Sequence, residues 1–416
     1  MHKEQQRAEK IISRIQELAV ISEDPQGITR RYGTGPFMEA AHKVLQWMQS
    51  AGLSARIDAI GNVRGIWASD NKKARTLVIA SHIDTVINAG RWDGPLGVLM
   101  GLDLLENRIR LGRPLPFHIE LIAFCDEEGV RFQTTYLGSK VVAGNFDPAT
   151  LERKDDQGIS LATAIREMGG DPDRLAEEAI PPGEWLGYFE IHIEQGPVLY
   201  EKKIPVAIVQ AIAGQLRAQA SFTGVAGHAG TVPMDMRADA LCGASEFILG
   251  LEGLALAEKD RLVATVGRLQ ILNPAGNVIP GEVSCSVDIR SADAQTLSRA
   301  HERLRTLCHE IGGRRGLQTD WNVLLTSPSV PCDTAMNGLL HRSITDAGYE
   351  ALSLVSGAGH DAVPVSAIAP VAMLFVRCFK GISHNPLEDV EREDIAAAVS
   401  VADNFIDQLA AINGKT

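Results

Sequence analysis

Two short apolar runs, residues 77–81 (Leu-Val-Ile-Ala-Ser) and 118–124 (His-Ile-Glu-Leu-Ile-Ala-Phe), bracket a glycine-opened helical stretch at 94–105. This pattern constrains the fold more than any other feature. Runs this short and this continuously apolar read as strands covered on both faces. A helix between two such strands predicts a parallel crossover, and so an α/β sheet with helices on both faces. Ile11, Ile12, Ile15 and Leu18 mark one face of an opening helix, and residues 37–52 read as a second amphipathic helix stopped by Gly52.

The texture changes near Ala213. Residues 217–223 alternate apolar and polar side chains like a half-exposed antiparallel strand. Residues 235–256 read as helix, 262–272 and 282–289 as strands, and 294–311 as helix. This β-α-β-β-α order predicts a small α+β domain, left at Pro328 and Pro331. Helix 337–347, strand 371–376 and helix 392–409 then restore the first texture. Two domains are expected, as suits 416 residues. The first comprises 1–212 with 330–416, and the second, 213–329, is inserted into it.

Hydrophobic residues make up 45% and charged residues 22%, the balance of a globular protein, and the formal net charge is −12. Such a chain repels nucleic acid and anionic membrane surfaces, and no Lys/Arg run overrides this. The six cysteines form no C-x-x-C pair and no disulfide framework, so buried free thiols in a reducing, cytoplasmic setting are expected. The first residues lack the apolar stretch of a signal peptide. No run of about 18 apolar residues is evident, so no membrane-spanning helix is expected.

Five polar segments stand out. Ser81-His82-Ile83-Asp84 follows a buried strand, the position where α/β sheets collect their sites. There His82 is a metal ligand or an ordinary loop histidine, and Asp84 is placed to accept from its second ring nitrogen. Asp93-Gly94 is a helix N-cap, or a carboxylate able to bridge two cations. Asp126-Glu127-Glu128 at the next strand end is an acidic surface turn, or a ligand beside a general base. Period-2 alternation puts Glu190, His192 and Glu194 on one strand face, which must meet water or a ligand. Ser383-His384-Asn385-Pro386 is a turn with an exposed imidazole. Together they offer the mixture of imidazole and carboxylate taken by a pair of borderline-soft divalent ions.

The chain resembles the amidase, hydantoinase and carbamoylase branch of the M20 metallopeptidase-like superfamily. Eight segments carry the resemblance over nearly the whole chain: 81–86 (SHIDTV), 93–97 (DGPLG), 126–132 (DEEGVRF), 192–197 (HIEQGP), 227–234 (GHAGTVPM), 277–281 (NVIPG), 356–362 (SGAGHDA) and 383–386 (SHNP). It implies a di-metal aminopeptidase-like catalytic domain with an inserted, ferredoxin-like α+β dimerisation domain. It also implies two divalent ions, Zn²⁺ or Mn²⁺. His82 and His192 would hold one ion, Glu128 and His384 the other, and Asp93 would bridge them. Glu127 would be the general base.

In the inserted domain, His228 resembles the histidine that relatives deliver across a homodimer interface; by itself it is a turn histidine beside glycines. Asn277 and Arg290 resemble binders of a substrate carboxylate, and a surface salt bridge is the other reading of Arg290. Gln195, Gln215, Arg217 and His360 are further candidates for lining the pocket. The implied reaction is hydrolysis of a ureido C–N bond in a small molecule. Allantoate is the first expected substrate, followed by N-carbamoyl-L-amino acids and ureidoglycolate. The alternative class, a metal-free binding protein of the same fold, sits poorly with ligand positions that are all filled by competent residues.

Overall fold

The computed structural model describes residues 2–414. The chain forms two compact units, 1–210 with 332–416 and, inserted between them, 211–331. In the first, four parallel strands lie side by side in the order His118–Phe124, Thr76–His82, Trp185–Ile193, Val371–Val376. Antiparallel strands flank them: Val63–Trp67 and Ser54–Ile57 on one side, Val206–Ile212 on the other. The central strands are apolar and buried along nearly their whole length. That is what cover on both faces requires.

The expected helices are present with shifted ends. Gly35–Ser50 starts where the Thr34 hydroxyl accepts the Phe37 N–H and Pro36 needs no N–H partner. Pro95–Arg110 runs a full turn past the expected end, because its buried positions continue to Arg108. Helices His2–Ala19, Pro95–Arg110, Thr334–Asp346 and Arg392–Asn413 pack on one another. The last of these buries Ile395, Val399, Ala402, Phe405 and Ile406. Burying a side chain of that size stabilises by about 1.5–3 kcal/mol.

The second unit is a five-stranded antiparallel sheet with its own apolar core. Its helices, Ala240–Glu258 and Ala294–Arg315, pack on strands Gly214–Thr223 and Glu282–Ser291. The chain order βαββαβ, with the first and third strands central, is the split β-α-β arrangement of ferredoxin-like folds. The stretch 262–272 is not one strand. It breaks into Val263–Thr265 and Leu269–Ile271, both paired to Glu282–Ser291, with Gly267 between them.

Helices Ala240–Arg261 and Arg392–Asn413 are, by length and composition, apolar enough to cross a membrane. Alanine, leucine, isoleucine and valine fill most of their non-polar positions and raise their hydropathy, and each lays one face on a core. One expectation from composition, that the thiols are buried, is corrected at a single cysteine. Cys242 is exposed, while the other five cysteines are buried free thiols.

Candidate metal centre

Each parallel strand hands a polar residue to the same end of the sheet. His82 is the last residue of Thr76–His82, and His192 the penultimate residue of Trp185–Ile193. Glu127 and Glu128 follow His118–Phe124, and His384 follows Val371–Val376. Asp93 arrives from the loop before Pro95–Arg110. It does not cap that helix: the N-cap is Gly94, at φ 84°, with no side-chain cap bond. A Cβ on Gly94 would fall 2.5 Å from the His82 ring, so glycine alone lets the Asp93 loop pass this close.

The two oxygens of Asp93 face different imidazoles. His192 Nε2 lies 3.1 Å from Oδ1, and His82 Nε2 lies 3.7 Å from the same atom. His384 Nε2 lies 3.1 Å from Oδ2 and 3.4 Å from Glu128 Oε1. Two donor groups result, His82–Asp93–His192 and Asp93–Glu128–His384, each with ligand atoms within 4.8 Å of one another.

The ring tautomers test whether cations fit. His82 Nδ1 lies 3.1 Å from the Asp84 carbonyl, and His192 Nδ1 lies 3.0 Å from the Ile193 carbonyl. A carbonyl only accepts, so each Nδ1 carries the hydrogen. Each Nε2 then turns a lone pair toward a carboxylate oxygen, which needs a proton or a cation between them. The Gln195 amide nitrogen donates to Asp93 Oδ2 at 3.0 Å, while its own oxygen is buried with no hydrogen-bond partner among the described residues. This donor set fits a pair of divalent ions with Asp93 between them.

The electrostatics agree with that reading. With protons in place of cations on the Nε2 atoms, burial raises Asp93, but hydrogen bonds from His192, His384 and His82 outweigh it and hold the carboxyl well below its usual range. The hydrogen bond to Asp93 lifts His384 to about 9. Burial, and then Asp93, push Glu128 up to about 7. Glu127 is pushed well above the carboxylate range, chiefly by burial and then by Glu128, Asp361 and Asp84. Burial and neighbouring carboxylates thus both favour the protonated form of Glu127. Asp126, Gln195 and His384 all adopt left-handed backbone, at φ 52°, 57° and 53°. Such conformations cost about 1–3 kcal/mol each and cluster at functional sites.

Asp84 differs from expectation. Its backbone carbonyl lies 3.1 Å from His82 Nδ1, and its carboxylate Oδ1 lies farther from the same nitrogen, at 3.7 Å. The carboxylate instead accepts the N–H groups of Glu127 and Glu128, both at 3.1 Å, and so orients the acidic turn. The face of Glu190, His192 and Glu194 is also buried rather than wet. Glu190 accepts from the Tyr188 hydroxyl and the Ala362 N–H, and Glu194 from the N–H groups of Val198 and Leu199. His360 lies behind the centre, its ring centroid 4.5 Å from that of His192 and its Nε2 2.7 Å from the Ser356 hydroxyl. Burial, and then His192, push it well below the usual histidine value, so it is neutral.

The remaining candidates lie in the second unit. His228 is exposed, in the short pair Gly227–His228 with Val278–Ile279, and Asn277 immediately precedes its partner strand. Gln215, Arg217 and Arg290 converge on Asp288. Arg290 donates twice to its carboxylate, at 2.8 and 2.9 Å, Gln215 once at 2.9 Å, and Arg217 once at 3.1 Å. The ion pair that sequence left open for Arg290 is therefore formed, with a partner two residues away. Sequence reading passed over Asp288, whose signals were its place two residues before Arg290 on the same strand face and opposite Arg217 in the strand register. It also passed over Glu388, a buried carboxylate beside Asp93.

A strand-end cluster of three imidazoles and paired carboxylates around one aspartate is suited to hold divalent cations, as metal-dependent hydrolases do. The chain belongs to peptidase family M20/M25/M40, whose model matches residues 78–408. It is 37% identical to an allantoate deiminase of Arabidopsis thaliana, over 94% of this chain and 80% of that one. It is 36% identical to an N-carbamoyl-L-amino acid amidohydrolase of Geobacillus stearothermophilus, over 97% and 99%. The crystal structure of an amidase of the hydantoinase/carbamoylase family from Burkholderia multivorans superposes with a TM-score of 0.91 at 32% identity, covering 97% and 98% of the two chains. The chain is thus an amidohydrolase acting on C–N bonds.

Proposed function

We propose that this chain hydrolyses a ureido C–N bond of allantoate. Water adds to the carbonyl carbon, and the bond to the substituted nitrogen breaks. The products are ureidoglycine and carbamate, which decays to ammonia and CO₂. One observation carries the reading: the two oxygens of Asp93 face two separate donor groups, with Glu127 in the adjoining acidic turn. The likeness to the Arabidopsis allantoate deiminase over most of both chains supports this substrate. N-carbamoyl-L-amino acids are the second reading, supported by the end-to-end likeness to the Geobacillus enzyme.

His82, His192, Asp93, Glu128 and His384 would hold Zn²⁺ or Mn²⁺, which when bound would supply Lewis acidity toward water and the substrate carbonyl. Glu127 takes the proton of the attacking water on its carboxylate and returns it to the leaving nitrogen. Gln195 lines the floor on which the ureido group lies, and His360, buried behind His192, backs that ring. His228 of a second copy of this chain donates to the developing oxyanion. Its Nδ1 accepts the Gly230 N–H at 3.0 Å, which leaves Nε2–H as an outward donor. Asn277, Arg290, Gln215 and Arg217 form the polar group that holds the substrate carboxylate.

Dimerisation through the inserted unit is supported by two apolar surfaces. The edge strand Gln318–Ser327 exposes Val323, Leu324 and Leu325, and the helix Ala240–Glu258 exposes Leu249 and Leu256. The deciding assay offers allantoate, ureidoglycolate and an N-carbamoyl-L-amino acid to the Mn²⁺- or Zn²⁺-loaded protein. Product formation is scored as ammonia and as free amino acid. Turnover of allantoate above the other two is expected, and absence of ammonia from allantoate with either metal overturns the assignment.

A further inference from the structure

Glu388 ties together two parts of the centre that are remote in sequence. Its Oε1 accepts the backbone N–H groups of Trp92, at 2.8 Å, and Asp93, at 3.1 Å. Its Oε2 accepts the Ser383 hydroxyl at 3.0 Å. The same hydroxyl oxygen lies 3.3 Å from Asp93 Oδ2. One carboxylate thus holds the backbone of the shared aspartate and, through Ser383, the turn that carries His384.

Glu388 is only 1% exposed, so its desolvation must be offset by these bonds. Gly90 leaves room for it, since a Cβ there would fall 2.3 Å from the Glu388 side chain. The neighbouring Asp389 adds a second tie to the same loop by accepting the Trp92 indole N–H at 3.2 Å. His384 needs such support more than the other two imidazoles. It sits on left-handed backbone, and its side chain is 48% exposed, against 2% for His82 and His192. Its ring meets Asp93, Glu128 and, at 3.5 Å, the Gln195 amide nitrogen, and the Ser383–Glu388 link holds the turn beside it.

We propose that Glu388, acting through Ser383, is a positioning residue that sets the affinity of the Asp93–Glu128–His384 position, leaving the His82–Asp93–His192 position largely to its two strand-borne imidazoles. The inference rests on the two-cation reading of the centre. It predicts unequal damage, because the imidazoles of the first position are held by strands and backbone carbonyls, whereas the second depends on a loop held by Glu388.

The test strips the full-length protein with chelator and titrates it with Co²⁺, following the visible d–d absorption and the stoichiometry. Wild type should take up two equivalents. Glu388→Ala should keep the first and bind the second on the order of 10–100-fold more weakly, the usual loss on removing a group that supports a ligand. Ser383→Ala, a smaller change that leaves the Asp93 anchor intact, should weaken the second equivalent alone. Glu388→Gln should recover most of the affinity, since its amide oxygen accepts the two N–H groups while its NH₂ donates to Ser383. Two unchanged equivalents in both Glu388→Ala and Ser383→Ala overturn the proposal. So does equal weakening of both equivalents in Ser383→Ala. If Glu388→Ala does not fold, Ser383→Ala and Glu388→Gln decide alone. A wild type that takes up fewer than two equivalents overturns the two-cation reading and this proposal with it.

Discussion

His192 Nε2 lies 3.1 Å from Asp93 Oδ1, with the opposite ring nitrogen committed to a backbone carbonyl 3.0 Å away. The ring therefore has one orientation and one tautomer in which to meet the aspartate. The other oxygen of Asp93 serves His384, so losing this carboxylate damages both donor groups at once. Asp93→Ala should bind neither cation tightly, a larger loss than the roughly 10–100-fold expected for a supporting residue. Metal content per chain after gel filtration checks this. A variant retaining one full equivalent would show that Asp93 is not shared.

Glu127→Gln keeps the size of the side chain and removes its capacity to take a proton. The variant should load metal normally and lose kcat by a factor on the order of 10²–10⁴, the usual contribution of a positioned acid–base group. KM should move little. Wild-type turnover in a fully loaded Glu127→Gln protein would remove this residue from the role of base.

The pH dependence of the metal-stripped protein follows from His384. Its folded value of about 9 lies above the 6.5 of a free imidazole, because Asp93 stabilises the charged ring. That contribution to stability is complete below about 6.5 and disappears as pH rises through about 9. Stripped protein should therefore lose thermal stability across that window. Cation affinity should rise across the same window, because the incoming ion displaces the proton. Melting curves and proton release on adding Mn²⁺ read the two trends. A flat melting profile for stripped protein between those limits would contradict the charged His384–Asp93 pair.

Arg290 grips Asp288 through one edge, its Nε and Nη2, so a substrate carboxylate must share that guanidinium with Asp288. Arg290→Ala should raise KM for carboxylate-bearing ureido substrates by roughly 10–100-fold, the scale of losing a charge-assisted hydrogen-bonded pair. Carboxylate-free analogues should be spared. Equal loss on both kinds of substrate would reduce Arg290 to a structural partner of Asp288.

Much of this molecule was legible before folding because its signals are local. The apolar runs at 77–81 and 118–124 have one physical outlet, a buried parallel sheet, and polar residues just beyond them fall at its carboxyl end. The alternation at 217–223 likewise specifies an antiparallel strand. Local pattern failed where a side chain's partner is remote. Nothing near Glu388 announces that it accepts the Asp93 N–H, 295 residues away in sequence. Alternation at Glu190 and Glu194 implied a face meeting water or a ligand, yet both carboxylates are buried, Glu194 accepting two backbone N–H groups and Glu190 Oε2 a tyrosine hydroxyl and a backbone N–H.

The amino-acid order alone determined the layered α/β class, the inserted second unit and the residue types available to a cation, because periodicity and composition act over a few residues. Only the tertiary structure decided which atom faces which. The Asp84 carbonyl meets His82 while its carboxylate holds the acidic turn, Arg290 closes on Asp288, and Glu388 sits behind Asp93. These pairings depend on where separate strands and loops end in space, to within the few tenths of an ångström over which a hydrogen bond forms or fails.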